Sequence, residues 1–143
     1  MRTTLNYCAP ELLVEGKYSK KSDIWAVGCI FYEVCFVTHS RQKAFTTMPA
    51  ITSYYYNEST LPPQISWDSF EVTGEMIPEH YKEQRKVVEK RFDRLNILFA
   101  AIFRRKPEER PSATELKKTL ELISKGEDPT IIDYRPGRRV TDE

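Results

Sequence analysis

The sequence is short of net charge, of glycine, and of cysteine and histidine. Its 143 residues carry 22 Lys plus Arg against 21 Asp plus Glu, a formal charge of +1, so no long-range field draws the chain onto nucleic acid or anionic lipid. No apolar run approaches the roughly 18 residues of a membrane span. The longest, Ile24 to Val37, is broken by Glu33. The opening residues show no apolar stretch followed by a small-residue cleavage site, so no export signal is expected. Cys8, Cys29 and Cys35 are an odd number with no CxxC pair, which fits a reducing compartment and an intracellular location, cytoplasmic or nuclear. Cys35 and His39 lie four apart but lack two further ligands at a recognisable spacing, and core packing is the better account of them. The five glycines, Gly16, Gly28, Gly74, Gly126 and Gly137, include no GxG pair, so no glycine-rich phosphate cradle is present. What the chain does have is 40% apolar and 12% aromatic residues, enough to bury a core as one soluble domain.

Hydrophobic periodicity predicts a mainly α chain. Residues 1–18 read as an ordered loop with one short helical turn near Glu11 to Val14. Ser22 is the expected N-cap of a helix over Ile24 to Val37, with Asp23 placed to meet the helix dipole. Its residues are apolar on every side, which predicts burial on every side. From Thr38 to Pro78 the pattern dissolves into prolines, hydroxyl residues and the Tyr54-Tyr55-Tyr56 cluster, and one or two short helices are expected there. Val88, Phe92, Leu95, Phe99 and Ile102 lay an apolar stripe along a helix within Glu79 to Arg105, with Arg104, Arg105 and Lys106 in its last turn and Pro107 ending it. Ser112 and Glu115 form a capping-box pattern for a last helix reaching about Ser124, with Ala113, Leu116, Leu120 and Ile123 as its apolar stripe. Residues 125–143 read as a flexible C-terminal tail.

Three separated pieces resemble the C-terminal lobe of a eukaryotic protein kinase, in that family's order. Thr4-Leu5-Asn6-Tyr7-Cys8-Ala9-Pro10-Glu11 resembles the end of the activation segment, Asp23-Ile24-Trp25-Ala26-Val27-Gly28 the start of the central helix, and Lys106-Pro107-Glu108-Glu109-Arg110-Pro111-Ser112 the junction between the last two helices. The resemblance implies a partial kinase-like helical lobe over residues 1–124, around a buried central helix. Tyr7, where tyrosine-specific members usually carry Trp, points to the Ser/Thr class. Thr3 stands where the family usually has glycine, which removes a permissive backbone position.

By resemblance Thr4, Leu5, Asn6, Tyr7 and Cys8 form the substrate-facing loop. Glu11 and Arg110 form an ion pair, Asp23 accepts backbone hydrogen bonds from the catalytic loop, and Trp25 and Gly28 belong to the structural centre. The family's ATP and Mg2+ would be held by a Gly-rich loop, a Lys–Glu pair, a catalytic-loop aspartate and asparagine, and an Asp-Phe-Gly. None of these is in the sequence, so no catalytic, cofactor or metal residue is assigned, and phosphotransfer by this chain alone is not expected. Without a neighbouring helix, the central helix should leave apolar surface bare, which favours self-association or capture of a protein partner. The alternative class is a non-catalytic, kinase-derived binding module using the tyrosine-rich segment. Nucleic-acid binding by the last two helices is disfavoured because Glu108 and Glu109 sit among Arg104, Arg105, Lys106 and Arg110.

Overall fold

The computed structural model describes residues 6–35, 43–66 and 82–129. Five α-helices follow in order: α1 Pro10–Glu15, α2 Lys20–Val34, α3 Met48–Tyr56, α4 Lys82–Ile102 and α5 Ala113–Ser124, with a 3-10 turn at Pro107–Glu109 before α5. No strand occurs among the described residues. Helix α1 packs on α3, α2 on α4 and on the 3-10 turn, and α4 on α5.

Local chemistry sets the helix ends. Pro10 starts α1 at a position where a missing N–H costs nothing. Gly16, at φ 69°, ends it in the left-handed region, its N–H donating to the Leu12 carbonyl at 3.0 Å. Helix α2 begins one turn earlier than expected. Its N-cap is Ser19, whose Oγ accepts from the Lys21 N–H, while Ser22 Oγ accepts from the Ser19 N–H. The polar run Lys20-Lys21-Ser22 hides this first turn from an apolar pattern. The helix stops at Val34, with Cys35 as its C-cap; the expected extension to Val37 lies outside the described residues.

Burial on every side of α2 is not what the structure shows. Ile24, Trp25, Gly28, Cys29 and Tyr32 form the buried stripe, whereas Val27, Ile30 and Val34 are 46, 51 and 55% exposed. An apolar composition says which faces seek cover, and the described elements cover only one of them. At the crossing with α4, a Cβ built on Gly28 would sit 2.3 Å from Ile102 Cγ2, so only glycine lets the two helices come this close.

Within the segment from Thr38 to Pro78 lies α3, capped by Thr47 Oγ1 accepting from the Ala50 N–H. Its three tyrosines do not form one surface. Tyr54 is buried and donates to the Phe103 carbonyl at 2.7 Å, Tyr55 donates to Glu15 on α1, and Tyr56 is exposed. Residues 36–42 and 67–81 of the same region lie outside the described residues.

Arg104, Arg105 and Lys106 fall beyond the end of α4 rather than in its last turn. Arg105 is used elsewhere: it donates to the carbonyls of Tyr54 in the last turn of α3 and of Asn57 and Thr60 in the turn that follows, at 2.7–2.8 Å, tying the end of α3 to the chain after α4. Asn96 on α4 clamps Ile65 by accepting from its N–H at 2.7 Å and donating to its carbonyl at 2.9 Å.

Helix α5 carries the expected capping box, Ser112 Oγ accepting from the Glu115 N–H and Glu115 Oε1 from the Ser112 N–H, each at 3.1 Å. Gly126, at φ 79°, and the Glu127 N–H donating to the Leu122 carbonyl close the helix in a Schellman turn. Arg94 on α4 then holds Asp128 at 3.0 Å. The rest of the proposed tail, residues 130–143, lies outside the described residues.

Candidate functional site

Arg110 is fully buried, with its neighbours arranged around all five of its N–H donors. Nη2 donates to Glu11 Oε1 at 2.7 Å and Nη1 to Glu11 Oε2 at 2.9 Å, a bidentate pair between positions 99 residues apart in the chain. The remaining donors reach backbone carbonyls: Nη1 to Lys21 at 3.1 Å, Nε to Arg104 at 2.8 Å and Nη2 to Arg105 at 3.4 Å. Lysine could not occupy this place, since its ammonium is a point donor with no planar fork.

The surroundings complete the node. Ser22 Oγ donates to Glu11 Oε2 at 2.7 Å, and Lys21 Nζ donates back to the Arg110 carbonyl at 2.7 Å. The Trp25 ring lies 5.0 Å from the guanidinium carbon, within reach of a cation–π attraction. On its other sides Trp25 stacks on Phe45 at 5.2 Å and meets Phe103 edge-on at 5.0 Å. The elements holding this node are α1, the first turns of α2 and the turn before α5. Of the residues picked from sequence, Glu11, Trp25 and Arg110 are therefore brought together, with Gly28 one turn along α2.

Burial pushes the Glu11 carboxyl up, but the bonds and charge of Arg110 and the bond from Ser22 outweigh it and hold the group below the usual carboxylate range. A carboxylate whose folded pKa is depressed binds protons more readily when unfolded. Its stabilisation is then complete above the unfolded value of about 4.3 and is lost as pH falls from there through the folded pKa. Urea midpoints recorded between neutral pH and pH 3 should show this acid loss in the wild-type chain and a shallower loss in Glu11→Gln, which is less stable at neutral pH. Parallel acid limbs in the two proteins would contradict it.

The loop preceding α1 is tied down at two described points. Tyr7 Oη donates to Glu33 Oε1 near the end of α2 at 2.6 Å, and Asn6 Nδ2 donates to the Thr46 carbonyl before α3 at 3.3 Å. Cys8 sits half-buried beside them. Thr4 and Leu5 lie outside the described residues. Asp23 is separate from the Arg110 node: it is exposed and accepts from Tyr18 Oη.

Glu33, Lys21 and Ser22 were not singled out as site residues. Only Glu33 left a trace in the sequence, as the charged interruption of an apolar run. The thiols are not primed as nucleophiles. Burial, then the Glu11 charge, raises the Cys8 pKa, burial raises that of Cys35, and Cys29 is pushed up to about 12, chiefly by burial.

Among the described residues no three His, Cys, Asp or Glu side chains converge on one point. Glu11 is committed to Arg110. The geometry is that of a helical lobe with a loop tied across its helix ends.

The chain belongs to the protein kinase domain family, whose match covers residues 1–120. Its relatives include the serine/threonine-protein kinase Nek1 of Mus musculus, 29% identical over 110 residues, 77% of this chain and 7% of that protein. Serine/threonine-protein kinase Nek11 of Homo sapiens is 29% identical over 115 residues, 80% of this chain and 14% of that protein. A shorter stretch of 29 residues is 59% identical to the G2-specific protein kinase nimA of Emericella nidulans, 20% of this chain and 4% of that protein. The chain thus spans a small part of the length of each of these relatives. No solved structure matches it significantly.

Proposed function

We propose that these 143 residues are the substrate-facing and structural part of the C-terminal lobe of an ATP-dependent Ser/Thr protein kinase. The observation that carries this reading is the Arg110 node, which fixes the start of α1, and with it the loop Asn6–Cys8, against the helical lobe. In this reading Tyr7 and Asn6 hold the loop against which a protein substrate lies, and Asp23 faces a catalytic loop. The chain supplies no ligand for ATP or Mg2+. Those parts come from polypeptide outside these residues, and the location is intracellular.

A second reading, a non-catalytic binding module, is favoured by one observation, the half-exposed Val27, Ile30 and Val34 on α2. Such a face serves self-association or a protein partner. A phosphotransfer assay separates the two. Endogenous protein captured with an antibody to residues 97–129 should phosphorylate a Ser/Thr peptide with Mg2+ and ATP, while the purified 143-residue chain transfers nothing. Transfer by the purified chain alone would overturn the first reading, and an inert endogenous protein would favour the second.

A further inference from the structure

We draw no further inference here: the strongest candidate, the open apolar face of α2 at Val27, Ile30 and Val34 with the groove it shares with Leu116 and Leu120 of α5, carries nothing because nothing in the structure shows what covers it.

Discussion

Replacing Arg110 with leucine should remove about 3–5 kcal/mol of stability, the cost of leaving a buried charge without its partner. Lysine should restore little of it. The leucine variant strands the Glu11 carboxylate at 4% exposure and takes donors from the carbonyls of Lys21, Arg104 and Arg105. Lysine returns a charge but neither the fork that grips both oxygens of Glu11 nor the reach to three carbonyls. The double variant Glu11→Gln, Arg110→Leu should lose clearly less than the sum of the two singles, because each partner's absence removes part of the other's penalty. Urea unfolding of the wild type, the three single variants and the double variant measures this. A lysine variant within about 0.5 kcal/mol of wild type, the range of an ordinary surface substitution, would show that the node is not what holds these segments together.

Trp25→Ala should cost about 3–5 kcal/mol, the usual range for emptying a buried Trp site. Phenylalanine should cost much less. Trp25 is fully buried and its ring is shared among Phe45, Tyr54, Phe103 and Arg110, so alanine opens a cavity at the point where four parts of the chain meet. Its Nε1 is buried and, with only the Cys29 thiol as a weak neighbour among the described residues, makes no strong hydrogen bond, so phenylalanine gives up chiefly ring area. With domain stabilities of about 5–15 kcal/mol, the alanine variant stands near the limit of cooperative folding. Thermal melts of the three proteins, followed by far-UV circular dichroism, order them as wild type, phenylalanine, alanine. Equal losses for phenylalanine and alanine would mean that the indole N–H, and not the ring's area, matters at this site.

Local signals in the sequence carried much of the helical framework. The 4-3-4-3 stripe from Val88 to Ile102 and the Ser112–Glu115 box are each written within a few turns of chain, and the structure has α4 and α5 where those patterns lie. Pairing over distance was legible only where motifs stood in for it. Nothing in the spacing of Glu11 and Arg110, 99 positions apart, predicts contact, and the resemblance to kinases supplied that expectation.

Elsewhere the structure departs from local pattern for physical reasons. The apolar pattern points to Ser22 as the cap of α2, whereas Ser19 holds that place, because the turn it opens is polar. The pattern places Arg105 in the last turn of its own helix, yet its guanidinium serves carbonyls at and just beyond the end of α3, which a one-dimensional pattern cannot place beside it. Composition alone reads α2 as buried on every side, because it records what a helix would bury and not what stands next to it; the expectation of bare apolar surface on this helix comes from the resemblance, which sets a further helix beside it.

The account is tested most directly by the intact mass of the endogenous protein, captured through residues 97–129 and identified by its peptides. It predicts a species much larger than 16.8 kDa, with peptides upstream of Thr4 that carry the Gly-rich loop, the catalytic-loop aspartate and the Asp-Phe-Gly. A species at 16.8 kDa with no such peptides would contradict it and leave binding as the chain's role.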